Sequence, residues 1–442
     1  MKVQLSDHFS YRKLLRFTFP SMVMLVFTSV YGVVDGFFVS NFVGKTPFTA
    51  VNFIMPFLMI LGSCGFMFGT GGGALVAKTM GEGKQKEAQI LFSMVVYISA
   101  AIGLVMAILG LLSLRPLTAA LGAEGQLLED SVTYGRIILL AIPAYILQYE
   151  FQCLFSAAEK PGLGLFVTVA AGITNMALDA LFVAGFHWGL EGAAAATAIS
   201  QCVGGIMPLV YFARPNSSRL RLGKAKFNGR ALAKACANGS SELMSNISMS
   251  VVSMLYNIQL LKYAGEDGVA AYGVLMYVSL VFQAAFIGYS VGSAPIIGYH
   301  YGAQNHKEMK GLLQKSLTLV SVFAIIMFSA ARFMAEPLSL VFVGYDEGLL
   351  HMTVRAFSIF SFSFLFSGIA IFGSSFFTAL NNGLVSAGIS FLRTLVFQIV
   401  AVLAFPLFWK VDGIWLSTVA AEVMAMVVTV LFLWVNRKKY RY

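Results

Sequence analysis

The sequence predicts an all-α polytopic membrane protein, with twelve transmembrane helices in two six-helix lobes related by a parallel internal repeat. Composition predicts the membrane: of 442 residues, 58% are hydrophobic and 11% charged, with a mean hydropathy of +0.80, whereas soluble domains carry roughly 25% charged residues. A soluble globule with so little polar surface would not stay dispersed. Apolar runs of roughly 20 to 30 residues predict the helices, because about 20 suffice to cross a bilayer. A constant register between the two halves predicts the repeat.

The first six apolar segments run 14–40, 48–77, 88–114, 132–157, 162–186 and 190–213. The first is too long for a signal-peptide core and is expected to be retained. A polar, basic linker at 214–234 separates these from segments 235–261, 269–299, 311–331, 353–379, 383–408 and 413–436. The domains expected are therefore an amino lobe, 1–213, and a carboxy lobe, 235–442, which ends in a basic tail.

An offset of 221, half of the 442 residues, superimposes Gly44 on Gly265, Met55 on Met276, Gly71 on Gly292 and Gly81 on Gly302 without a gap. The same offset carries Lys86-Glu87 onto Lys307-Glu308, Trp188 onto Trp409 and Thr197 onto Thr418. Six spans per half give both lobes the same orientation, as in transporters built from parallel repeats, with a substrate path between the bundles.

Twelve spans put both termini on one side, and positive charge says which. The connections on that side hold 20 Lys and Arg, those on the other side five, so both termini are expected in the cytoplasm. The largest cluster, Arg219, Arg221, Lys224, Lys226 and Arg230, lies in the acid-free linker. It reads as a topology signal, with contact to anionic lipid as a secondary role. The formal charge of +10 thus describes orientation in a lipid bilayer, and no nucleic-acid partner is expected.

Enzyme motifs are weak. Gly44-Lys45-Thr46 lacks the first glycine of a phosphate-binding loop, and no connection has room for a nucleotide-binding domain. Gly69-x-Gly71-x-x-Ala74 lies inside an apolar span, where small residues serve close helix packing. Cys64, Cys153, Cys202 and Cys236 show no paired spacing, and His8, His187, His300, His306 and His351 sit in loops or at span ends. No catalytic residue, organic cofactor or ATPase subunit is expected, and the chain is expected to act as a monomer.

An ionisable group in hydrocarbon costs several kcal/mol, so each one is a functional candidate. Six lie well inside predicted spans: Asp35, Glu150, Asp179, Glu242, Arg393 and Glu422. At ~1.5 Å per residue, Asp35, Asp179 and Thr197 fall at similar depth, about 8 to 11 Å below the outer surface. Asn175, four residues before Asp179, shares its helix face. The four residues can converge on one polar site in the amino lobe. Two neighbouring carboxylates cannot both ionise cheaply in a low dielectric, so this set suits a shared proton or a bound Na⁺; the alternative is two separate acids, each hydrogen-bonded within the bundle. Arg393 and Glu422 sit near the midplane and read as a structural ion pair. Glu242, like Glu150, lies nearer the inner surface; it either takes a cationic ligand or a second proton, or is a water-exposed carboxylate at a helix end. Pro20 lies in span 1 before Asp35, where a bend would link protonation to cavity shape. Methionine and aromatic side chains in the cleft would suit bulky cationic or amphipathic ligands.

The stretch Val34 to Asn41 (V-D-G-F-F-V-S-N), the M-G-E-G after span 2 and the two-lobe plan resemble the multidrug and toxic compound extrusion (MATE) family over essentially the whole length. Asp35, Asn175-x-x-x-Asp179 and Thr197 are similar to the amino-lobe ion site of its DinF-type branch, with Pro20 at the place of its bending proline. The resemblance implies secondary-active efflux of cationic or amphipathic compounds in exchange for H⁺ or Na⁺, at a bacterial cytoplasmic membrane. Another branch uses acids in spans 7 and 10; here Glu242 matches the first, while span 10 offers only Ser374 and Ser375. A flippase for lipid-linked oligosaccharides, within the same superfamily, is the alternative and would be expected to need a more cationic cleft than Arg393 provides.

Overall fold

The computed structural model describes residues 3–344 and 346–442, and among these there is no β-strand. The helices are α1 (Tyr11–Phe38), α2 (Lys45–Gly81), α3 (Gln85–Ala120), α4 (Gly125–Ala157), α5 (Pro161–Asp179) and α6 (Gly189–Ala213). After an extended segment come α7 (Gly229–Gly302), α8 (His306–Val343), α9 (Glu347–Phe360), α10 (Phe364–Ala379), α11 (Gly383–Phe391), α12 (Phe397–Ala404) and α13 (Pro406–Tyr440).

Among the described residues, eleven helical runs are long and apolar enough to cross a membrane. One of them, α7, has 74 residues, which would measure ~110 Å if straight, against a hydrocarbon core of ~30 Å. It is broken at Gly265 (φ 66°, ψ −155°). Both limbs return to α2: Gly71 meets the Ala235 backbone, and Gly81 meets that of Tyr299. The run is therefore a hairpin of two spans, which brings the total to twelve. A single glycine in the left-handed region makes the turn that the sequence suggests as a loop.

Breaks recur at the repeat offset. Gly44 and Gly265, Gly83 and Gln304, and Gly189 and Lys410 all have positive φ. In all three pairs the first-half position is glycine, whereas the second-half position is glycine once and a side-chain-bearing residue twice, so backbone shape is kept where sequence is not. The linker is shorter than the sequence suggests: α7 begins at Gly229, capped by Asn228 Oδ1 accepting from Ala231 N at 3.1 Å. Arg230 and Lys234 thus lie on a helix that extends past the apolar segment.

The lobes are joined mainly in the half that carries the termini. A side chain at Gly81 would collide with the Tyr299 carbonyl, one at Gly302 with that of Lys78, and one at Gly288 with the backbone of Ser21 and Met22. Such glycine contacts let helices of different lobes approach backbone to backbone. The largest apolar core draws on both lobes, from Phe92, Phe151 and Phe212 to Tyr289, Phe372 and Phe376. A second core, from Val252 to Trp415, belongs to the carboxy lobe alone and occupies the other half of the molecule.

Candidate functional site

Two acids stand at matching interruptions of their helices. Asp35 is on the last turn of α1, which passes into a π-helical turn, Val39–Val43; Asp179 ends α5 and is followed by another, Ala180–Gly185. Such turns are frequent at functional sites because they displace the side chains next to them. Here the two turns also touch each other.

Thr197 on α6 donates from Oγ1 to Asp35 Oδ1 at 3.2 Å, and Asn175 Nδ2 donates to Thr197 Oγ1 at 3.4 Å. Asp179 is fully buried and within side-chain interaction range of Asp35. Asp35, Asn175, Asp179 and Thr197 therefore form one site. Neither oxygen of Asp179, nor Asn175 Oδ1, has a hydrogen-bond partner among the described residues. An ionised carboxylate only accepts, so the acids can hydrogen-bond to each other only when one holds a proton. The unmatched oxygens ask for a proton or a small hard cation. Among the described residues no group of three or more His, Cys, Asp or Glu is placed to hold a metal.

Tyr134 on α4 completes the pocket. Its hydroxyl is buried, unpartnered and within interaction range of Asp35, Asp179 and Thr197. Tyr31, one turn before Asp35, continues the polar surface toward Gln148 and Tyr149, and the Tyr145 and Tyr149 hydroxyls are 2.9 Å apart. In the sequence these tyrosines are single aromatics in apolar spans and give no signal.

At the repeat offset, Asp35 becomes Tyr256, Thr197 becomes Thr418 and Asp179 becomes Val400. The Tyr256 hydroxyl donates to Gln398 Oε1 at 2.7 Å and lies 3.0 Å from Thr418 Oγ1. The carboxy lobe therefore keeps the polar pocket in neutral form, with its donors and acceptors matched.

The other candidates are elsewhere. Arg393, on the π-helical turn Leu392–Val396, donates from Nε to Glu422 Oε2 at 2.9 Å and Oε1 at 3.2 Å. Glu422 is buried. Glu242, on the first limb of α7, is within electrostatic range of Arg393, and Cys153 is within range of both Glu242 and Glu150. Glu150 accepts a hydrogen bond from Ser99. Pro20 lies within α1, which stays helical through it; the missing amide frees the carbonyl four residues earlier. Ser374 bonds to Ser386 and Ser390, both at 2.9 Å, and Ser375 donates to the Ser290 carbonyl. Span 10 thus supplies a satisfied hydroxyl seam and no acid.

The MatE family model matches the chain twice, over residues 20–181 and 243–403. Multidrug export protein MepA of Staphylococcus aureus (strain NCTC 8325 / PS 47) is 23% identical over 419 residues, covering 94% of this chain and 92% of its own. That of Staphylococcus haemolyticus is 24% identical over 368 residues, covering 81% and 80%. Among solved structures, one described as the outward-facing conformation of a multidrug resistance MATE family transporter of the MOP superfamily superposes with a TM-score of 0.94 at 19% identity, covering 100% of this chain and 98% of that one. MATE in the straight conformation gives 0.93 at 18% identity, over 98% of each chain. The two matched stretches take in both lobes and more than half of the residues; the chain is a multi-pass membrane protein that belongs to the MatE family of transporters.

Proposed function

We propose that the protein is a secondary-active multidrug exporter, which moves cationic or amphipathic organic compounds outward in exchange for H⁺ or Na⁺ by alternating access. The observation that carries this reading is the buried Asp35–Asp179 pair, with its unmatched oxygens. A carboxylate pair in a low-dielectric pocket binds one positive charge far better than none or two, which is what a coupling ion requires. Asn175, Thr197 and Tyr134 serve as the neutral part of the shell, and Pro20 is the point at which α1 bends as the pocket fills and empties. The family membership and the export function in the relatives' names support the transport direction. Closure of the lobes on the side of the termini supports an outward-open state, with both termini in the cytoplasm of a bacterial cell. Arg393 is neutralised by Glu422, which disfavours a flippase for anionic lipid-linked sugars. Transport proceeds on a single chain without an ATPase subunit, and Glu242 offers its carboxylate to a cationic ligand in the cleft.

The test is uptake of the cationic dye ethidium into inverted membrane vesicles, with H⁺ and Na⁺ gradients imposed separately. Uptake is expected with one gradient and at least ~10-fold weaker in Asp35→Asn at equal protein level. Uptake that persists on ATP alone, with both gradients collapsed, would overturn the reading.

A further inference from the structure

Residues 3–10 precede α1, yet they are fastened to both lobes. Leu5 and Phe9 are fully buried. Leu5 N donates to Glu159 Oε1 at 2.8 Å, in the turn between α4 and α5 of the amino lobe. Arg219 reinforces this end, 3.6 Å from Glu159 and donating to Gln4 Oε1 at 3.0 Å. Four residues later the chain is held by the carboxy lobe: Phe9 N donates to Glu308 Oε1 at 2.9 Å, and His8 Nδ1 is 2.7 Å from Glu308 Oε2. Lys315 Nζ donates to the Phe9 carbonyl at 2.6 Å. The Phe9 ring stands edge-on to Phe17 of α1 and to His300 of α7, at 6.2 and 6.4 Å. His300, expected at a span end, is thereby buried.

Glu308 has been diverted to this task. It lies three residues after the α8 cap, Asn305, which accepts from Glu308 N at 3.1 Å. A glutamate at that position ordinarily turns back to the cap amide, whereas both oxygens here hold residues 8 and 9. Its repeat counterpart, Glu87, is exposed.

The segment before α7 does the reciprocal thing. Gln85 and Gln89 donate to the Arg219 carbonyl at 2.7 and 3.0 Å, Ser93 Oγ accepts from Gly223 N at 3.1 Å, and the Tyr97 hydroxyl donates to Gly223 O at 3.2 Å. All four side chains are on α3. Each half's entry segment is therefore fastened to the third span of the other half.

We propose that residues 3–10 are an inter-lobe clamp that holds the face carrying the termini closed, and that release of Phe9 and His8 from Glu308 is a step in opening it. Leu5 to Phe9 reaches at most ~14 Å when fully extended, and α1 roots the chain in the amino lobe. Separating the lobes on this face beyond that slack must break the bonds to Glu308 and pull the Phe9 ring from its slot. The role of opening rests on the alternating-access reading, while the clamp itself is testable without transport.

Spin labels at Glu87→Cys and Lys310→Cys, both exposed and one per lobe, in a chain with the four native cysteines replaced by serine, report the inter-lobe distance by pulsed electron paramagnetic resonance. The native segment should give one dominant short distance. Phe9→Ala combined with Glu308→Gln should raise the longer-distance population about tenfold, as expected for losing hydrogen bonds to a charged acceptor. Glu308→Gln alone, the milder variant, should speed amide exchange across residues 5–9. Monodisperse variants with the native distance distribution and native exchange would overturn the clamp. A shift in distance in a protein that shows no ion-driven efflux would uphold the clamp and remove the transport reading.

Discussion

In the amino lobe Thr197 donates to Asp35 at 3.2 Å, beside an Asp179 whose oxygens find no donor. At the same register in the carboxy lobe, Thr418 is 3.0 Å from a Tyr256 hydroxyl that already donates to Gln398. The backbone frame and the threonine are shared, and the charge is not. Only the amino-lobe pocket has a buried charge to neutralise, so only it can change its energy when an ion arrives. The carboxy-lobe pocket has its hydrogen bonds made and serves as polar glue between helices, a contribution of ~1 kcal/mol. The repeat places a threonine-lined polar pocket in each lobe, and two carboxylates set the proposed ion site apart from its neutral counterpart.

The largest effects should come from the charged pocket. Asp35→Asn and Asp179→Asn should each lower ion-driven export by ~100-fold with protein level unchanged, because either change removes the pair's net affinity for a cation; vesicle efflux normalised to immunoblot checks it. An effect on folding, and not on the export step itself, is expected at the other charge difference between lobes. The Arg393–Glu422 pair occupies positions equivalent to Gly172 and Gln201. Arg393→Ala leaves a buried carboxylate alone and should cost about 3–5 kcal/mol, seen as loss of folded yield in detergent. The charge-swapped double variant should recover part of it. Next, Thr197→Val removes one hydrogen bond to a charged acceptor, worth roughly 1.5–3 kcal/mol, and should weaken export by about tenfold. Thr418→Val should change export by less than ~3-fold, since its partner is a neutral hydroxyl.

Much of this was legible beforehand, for identifiable reasons. Scarcity of charge makes an intramembrane carboxylate stand out, and helix depth from ~1.5 Å per residue brings Asp35, Asp179 and Thr197 to one level, with Asn175 about one turn deeper on the helix face of Asp179. The offset that carries Thr197 onto Thr418 also carries Asp35 onto Tyr256, so the neutral twin was within reach of the repeat register. Tyr134 was not, because an aromatic in an apolar span has the same pattern whether it packs or faces a pocket. The π-helical turns after Asp35 and Asp179 add a residue to a turn without altering the apolar run. The clamp was hidden for another reason: eight residues without periodicity carry no signal of their own, whereas Leu5 is held at Glu159 and Phe9 at Glu308, 154 and 299 positions away.

The most direct test of the central claim is ethidium efflux from proteoliposomes under an imposed H⁺ or Na⁺ gradient, comparing the native protein with Asp35→Asn and with Tyr256→Phe. The lobe comparison predicts that Asp35→Asn abolishes the gradient-driven component, while Tyr256→Phe retains at least about a third of it, the lost hydrogen bond being neutral. Full gradient-driven efflux in Asp35→Asn, or its abolition in a well-folded Tyr256→Phe, would contradict the assignment of ion coupling to the amino lobe.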